Sequence, residues 1–243
     1  MAPLLRSRNR PSAGVEEATA RATWQLASLL VDYPDDGQRL DVVDAVLPGL
    51  PRELAEPFAR FLAHRRTAPL NRLQEEYVET FDTRRRCALF LTYFLHGDTR
   101  KRGMALLRFK QTYQAAGLEL GDQELPDHLA VVLEFAATAD PVAGRQLLLD
   151  HRAGLELLRL SLTELGSPWA DVVAPVCATL PALDGEGMEL VRRLAAEGPP
   201  EEEVGMTPYG TPGFDAALTD PRPSGTVDLG LPGFPAPAGG RGA

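Results

Sequence analysis

Apolar positions recur at three- and four-residue spacing along most of the chain as far as Glu197, the period of helices that bury one face. In the first such stretch, residues 15–31, Ala22, Leu26, Leu29 and Leu30 share a face. Tyr33-Pro34 ends it, because the residue before a proline is driven out of the helical region. A weaker stretch covers 40–47 and stops at Pro48-Gly49. Pro51 opens the next, with Leu54, Phe58, Phe61 and Leu62 in phase, and Pro69 starts another whose stripe is Leu70, Leu73, Tyr77 and Phe81.

The pattern then changes. Asp82 is placed to cap a segment running to Leu95, and from Cys87 to Leu95 no polar face remains, which predicts a central helix buried on most sides. His96-Gly97-Asp98 reads as a turn, with Asp98 or Thr99 capping a helix that buries Leu106, Phe109, Tyr113 and Ala116 and ends at Gly117. Pro126 opens a further helix with Leu129, Val132, Leu133 and Ala136 in phase. Asp140-Pro141 begins one long helix reaching Leu165, and Ser167-Pro168 repeats that signal. Pro175 should kink or break the segment 169–180, and 186–197 forms a last short helix.

No stretch alternates with period two on β-branched residues, so the expected fold class is all-α, a single-domain helical bundle of roughly eight to ten helices. The domain would span 15–197, between a disordered N-terminus at 1–14 and a flexible tail at 198–243. In that tail 19 of 46 residues are Gly or Pro, a composition that neither propagates a helix nor fills a core. Its scattered Val204, Met206, Tyr209, Phe214 and Leu218 would also suit a short docking segment that orders on a partner.

Composition narrows the class. A hydrophobic content of 44% supports a sizeable core, and the two cysteines, Cys87 and Cys177, show no paired spacing and fit a reducing compartment. The longest apolar run, ALFLTYFL, is far short of the roughly 20 residues that cross a bilayer. MAPLLRSRNRPSAG lacks the apolar core of an export signal, so a cytoplasmic protein without membrane insertion is expected.

Catalytic constellations are missing. Neither lysine, Lys101 or Lys110, follows a glycine as a phosphate-binding loop requires, and His64, His96, His128 and His151 are too dispersed for a zinc site. Cys87 follows three arginines that would lower its pKa, but its apolar neighbours oppose this, and an inert core cysteine is expected. Asp82, Asp98, Asp127 and Glu134 would act as acids and bases only if they converged on a pocket. The simpler reading has Asp82 and Asp98 capping helices and Glu134 pairing with an arginine. Neither an enzyme nor a metal site is expected.

Charge is distributed unevenly. The chain carries net −9, yet Glu79 to Lys110 holds eight Lys or Arg against three Asp or Glu. Nucleic-acid binding is one reading, but the acidic remainder would repel a polyanion and no DNA- or RNA-binding signature is present. Arginines pinning a helix–helix corner through carboxylates and carbonyls is a second. A groove for an amphipathic peptide, apolar in the middle and charged at its corners, is the third. Residue types alone do not separate the last two.

YVETFDTRRRCALFLTYFLHGDTRKRGMALLRFKQTYQAAGL, then ELPDHLAVVLEFAA, with LLVDYP upstream, resembles the respiratory nitrate reductase delta-subunit family of molybdenum cofactor assembly chaperones. The resemblance runs from about residue 20 to 195. It implies a non-catalytic helical chaperone that holds no cofactor permanently but assists molybdenum cofactor insertion into its client. The implied partner is the apo catalytic (alpha) subunit of nitrate reductase, met partly through that subunit's N-terminal segment, with the cofactor insertion machinery as a second. Alternatives are a dimethyl sulfoxide or trimethylamine oxide reductase client, or a permanent helical subunit of a respiratory complex. The family's acidic-Pro-Asp-His-Leu and Leu-Glu-Phe pattern falls on Glu124, Pro126, Asp127, His128, Leu129, Leu133, Glu134 and Phe135, and its turn on Gly97, Asp98, Thr99 and Arg100. Client binding is accordingly expected at Asp82, Arg86, Tyr93, Asp98, Arg100, Arg102, Leu106, Asp127, His128, Leu129, Glu134 and Phe135.

Overall fold

Eleven α-helices follow one another through residues 15–36, 39–121 and 124–200, the residues described by a computed structural model, and no strand occurs among them. They are α1 (Glu17–Val31), α2 (Leu40–Val46), α3 (Arg52–Thr67), α4 (Leu70–Phe81), α5 (Tyr93–His96) and α6 (Arg100–Ala115). After these come α7 (Leu129–Thr138), α8 (Pro141–Asp150), α9 (Arg152–Glu164), α10 (Ala170–Thr179) and α11 (Gly185–Glu197). The expectations for 1–14 and for the tail beyond 200 fall outside the described residues. No described helix is long and apolar enough to cross a membrane.

The core forms around α1, which packs on α7 and α10; α10 also meets α3 and α9, α8 lies on α7, and α11 on α9. The predicted stripe of α3, Leu54, Phe58, Phe61 and Leu62, is buried as a set, and so are Leu129, Val132, Leu133 and Ala136 of α7. Each large side chain so buried stabilises the fold by about 1.5–3 kcal/mol. Two tryptophans tie the layers together. Trp24 on α1 donates its Nε1–H to Thr179 Oγ1 of α10 at 2.9 Å. Trp169 fills a cage of Phe61, Tyr77 and Phe81, with ring centroids 5.5–5.6 Å away. Helix α8 presses onto α7 through Gly144, where a methyl group would come within 2.4 Å of Ala136 Cα.

Several expectations are corrected. Asp82 to Leu95 is not one helix: it holds a 3-10 turn at Arg85–Cys87, an extended piece and the single turn α5, while Asp82 closes α4 instead of opening a helix. The extended piece replaces helical bonds with pairing to residues 127–129, Leu91 N–H to Asp127 O at 3.0 Å and Leu129 N–H to Leu89 O at 2.8 Å. The stretch 140–165 divides at His151, whose ring Nδ1 lies 2.9 Å from the Leu147 carbonyl, the acceptor its backbone N–H would take in a continuous helix. That N–H meets Leu149 O instead. The division at His151 takes the count to eleven, above the eight to ten expected, while the 82–95 segment still contributes one helix, the short α5. Pro175 lies inside α10 without ending it, Ala116 is exposed, and α7 starts at Leu129, three residues after Pro126. Asp140 caps α8 as predicted, accepting from Val142 and Ala143, whereas α10 has no side-chain cap from Ser167.

Candidate functional site

The loop from 88 to 92 has its backbone fixed by the 127–129 pairing, and this sets Phe90 between two clefts. On one side the His128 ring meets Phe90 edge-on at 5.3 Å; on the other the Arg102 guanidinium lies 5.4 Å from the Phe90 centroid.

The larger cleft, about 540 Å³, lies between the C-terminal end of α1 with its following loop and the segment 124–134. Leu29, Phe90, Leu125 and Val131 supply its apolar surface. Asp32, Asp35, Glu124 and Glu134 bring four carboxylates to the rim against one cation, Arg39, which is itself paired with Asp41 at 3.1 Å. Tyr33, 45% exposed, is braced edge-on against Tyr77 at 5.3 Å. Burial pushes the His128 pKa down, against the opposing pull of Asp32, Asp127 and Glu124, and so favours the neutral ring. The cleft therefore combines apolar walls with a negative rim.

The smaller cleft, about 240 Å³, is the basic corner. Asp82, Arg84, Arg85, Tyr93, Asp98 and Arg102 line it together with Phe90. Arg102 donates from Nη1 to Asp98 Oδ1 at 2.9 Å, and its guanidinium stands 5.9 Å from the Tyr93 centroid.

A buried network lies between the clefts. Asp127, 0% exposed, accepts from the Thr92 backbone N–H and hydroxyl at 3.1 and 2.5 Å, and Arg102 Nε donates to Thr92 Oγ1 at 3.3 Å. The Tyr113 hydroxyl donates to the Pro126 carbonyl at 2.6 Å and holds the entry to this segment. The Asp127 carboxylate thereby satisfies the Thr92 backbone N–H, a donor that a continuous 82–95 helix would have paired internally.

The predicted site residues separate accordingly. Asp82, Tyr93, Asp98 and Arg102 gather at the basic corner, while His128 and Glu134 line the acidic cleft. Arg86 is exposed on the 3-10 turn and Arg100 on the first turn of α6, outside both linings. Leu106 is half-buried on α6 and lines neither. Asp127 and Leu129 are fully buried and Phe135 is 4% exposed, its ring tilted against Tyr113 at 4.7 Å, so these three lie behind the cleft walls. Glu134 is exposed at the rim. Sequence reasoning missed Leu29, Asp32, Tyr33, Asp35 and Phe90, although LLVDYP carried the first three; what was lacking was the knowledge that residues 29–35 face residues 124–134.

Among the described residues no group of His, Cys, Asp and Glu is placed to hold a metal ion. Cys87 is buried, and desolvation, opposed by Arg84, pushes its pKa up to about 11. Cys177 is driven up to about 12, chiefly by burial. Both thiols are therefore protonated at neutral pH and poor nucleophiles.

Residues 47–174 match the family model described as nitrate reductase delta subunit. The nitrate reductase-like protein NarX of Mycobacterium tuberculosis (strain H37Rv) is 43% identical over 156 residues, 64% of this chain but only 24% of that protein. The nitrate reductase molybdenum cofactor assembly chaperone NarJ of Escherichia coli (strain K12) is 33% identical over 150 residues, 60% of this chain and 64% of that one. The Bacillus subtilis (strain 168) protein that shares the name NarJ is 32% identical over 161 residues, covering 65% and 88%. A crystal structure of a redox enzyme maturation protein from Archaeoglobus fulgidus superposes with a TM-score of 0.50 at 25% identity, covering 70% of this chain and 97% of that one.

Proposed function

The chain belongs to the nitrate reductase delta subunit family, and from this premise we propose that it is a non-catalytic, system-specific chaperone of a nitrate reductase. It binds the apo catalytic subunit, in part through that subunit's N-terminal segment, and keeps it competent for molybdenum cofactor insertion. The observation that carries this reading is the acid-rimmed apolar cleft between residues 29–39 and 124–134. Its apolar walls and acidic rim suit a short amphipathic helix whose apolar face enters the cleft while basic residues meet Asp32, Asp35, Glu124 and Glu134. Apolar burial supplies most of the affinity, and the rim charges act mainly on the rate and register of encounter. The basic corner across Phe90 would meet acidic residues of the same client.

The test is affinity capture of the full chain from nitrate-grown, oxygen-limited cells, with and without molybdate. Enrichment of a cofactor-poor nitrate reductase catalytic subunit when molybdate is withheld is the expected result. Equal recovery of cofactor-loaded, membrane-assembled enzyme would identify a permanent subunit instead and overturn the chaperone reading.

A further inference from the structure

Helix α6 carries Arg100, Lys101, Arg102, Arg108 and Lys110 and no acidic residue, in a chain of net charge −9. Arg100 and Arg102 are already engaged. Lys101 and Lys110 are exposed and make no ion pair among the described residues. Arg108 meets Asp150 of α8 at 3.2 Å, but its side chain is 72% exposed, and an ion pair so open to water contributes little. Arg108 can therefore exchange Asp150 for an incoming carboxylate at small cost.

Between these cations the surface is apolar. The helical period places Met104 and Leu107 on the outward face, with Lys101 and Arg108 along one edge and Lys110 along the other. Met104 is 70% exposed and Leu107 44%. Beside Met104, α6 faces the junction of α8 and α9 across a cleft of about 330 Å³. Leu95, Phe109 and Leu147 line it, and the His151 ring tilts against Phe109 at 5.1 Å. Burial lowers the His151 pKa and keeps that ring neutral, so the inner lining is uncharged. Lys101 and Arg108 stand at the mouth, where Asp150 is the one carboxylate.

We propose that this cleft docks an acidic amphipathic segment of a partner protein, an apolar side chain entering beside Met104 while carboxylates meet Lys101 and Arg108. The flexible thioether of Met104 adapts to the shape that enters, and the cations set register and encounter rate. The charge at this mouth is opposite to that of the acid-rimmed cleft, so the two clefts select segments of opposite sign. The inference rests on the chemistry of α6 and not on the client reading above. An anionic membrane offers the same charge, but a flat surface cannot enter a cleft, and the acidic remainder of the chain repels it.

The experiment measures fluorescence anisotropy of a short labelled peptide, leucines on one helical face and glutamates on the other, titrated with the full chain at low salt. Saturable binding is expected, weakened about tenfold or more in K101E/R108Q and about threefold or more in M104S. All three positions are exposed, and a glutamate at position 101 suits the helix dipole, so the fold is retained. R52E/R72Q, on α3 and α4, imposes the same change of net charge elsewhere and should leave binding unchanged. Equal weakening by that variant overturns the proposal, as does the lack of saturable binding or full affinity in both K101E/R108Q and M104S. Binding to phosphatidylserine vesicles in place of the peptide, lost in K101E/R108Q, would assign the face to a membrane and overturn it too. A dimer in sedimentation that K101E/R108Q dissociates would make a second copy the occupant, with the same consequence.

Discussion

Thr92 and Asp127 are joined twice, since both the backbone N–H and the hydroxyl of Thr92 donate to the same Asp127 oxygen, at 3.1 and 2.5 Å, inside a fully buried pocket. This double bond fixes the loop that carries Phe90 to the segment that carries His128, and so sets the spacing of the two clefts. Removing the acceptor leaves Thr92 and Arg102 without it in a low-dielectric environment. Asp127→Ala should therefore cost about 3–5 kcal/mol, read as a shifted urea midpoint, with Asp127→Asn milder. A loss below about 1 kcal/mol would show that the network does not hold the loop.

Phe90 is the wall common to both clefts, meeting His128 edge-on and lying under the Arg102 guanidinium. Truncation to alanine removes a ring from the centre of the proposed client face, where aromatic anchors dominate binding energy. We expect client affinity to fall about tenfold or more, and fluorescence anisotropy with a peptide of the client's N-terminal segment would register it. Unaltered affinity would move the client site elsewhere.

Reversing rim charge should act differently. Asp32→Lys with Glu134→Lys changes two exposed positions of the acidic cleft and should leave stability within about 0.5 kcal/mol. Client association should slow at low ionic strength and recover its relative rate as salt is added. Stopped-flow kinetics at two salt concentrations decide this. Faster association of the variant would contradict a basic client segment.

Stability should fall on mild acidification. His128 and His151 both have pKa values lowered from 6.5, first by burial, so the unfolded chain binds protons more readily than the folded one. Wherever the unfolded state holds more protons, stability rises with pH. The contribution is therefore complete above the unfolded value of 6.5 and is lost as pH falls from there toward the lowered folded values. Carboxylates facing them, Asp32 and Glu124 for His128 and Asp150 for His151, temper the effect. Chemical unfolding at pH 7.5 and 5.5 should show the loss, with a smaller pH slope in His151→Gln; an identical slope would exclude that residue as a source.

The thiols provide an independent check on the core. Cys87 and Cys177 are buried, with pKa values raised to about 11 and about 12. A thiol-reactive dye at pH 7.5 should label neither in the folded chain and both in urea. Rapid labelling of Cys87 in the native protein would mean that the 82–95 segment opens readily.

Helix existence and phase could be read directly from the sequence wherever one face is apolar and the other polar, as in α3, α4 and α11, because the 3.6-residue period is itself the burial pattern. Asp140 before Pro141 likewise announced its cap, a bond made between neighbours in sequence. The run Cys87 to Leu95 gave no such guide. A stretch without a polar face fits a buried helix and a buried extended loop equally, and the choice fell to backbone pairing with residues 127–129, some 35 positions away. The split at His151 is similar, since one ring nitrogen competing for the Leu147 carbonyl leaves no mark on periodicity. The basic clusters stood out in the sequence because charge is a local count. The acid-rimmed cleft did not, because Asp32 and Asp35 meet Glu124 and Glu134 only after α1 has packed on α7. Local spacing determined the helices and the family likeness; long-range packing decided which side chains share a cleft, since only the closed chain brings them within reach of one another.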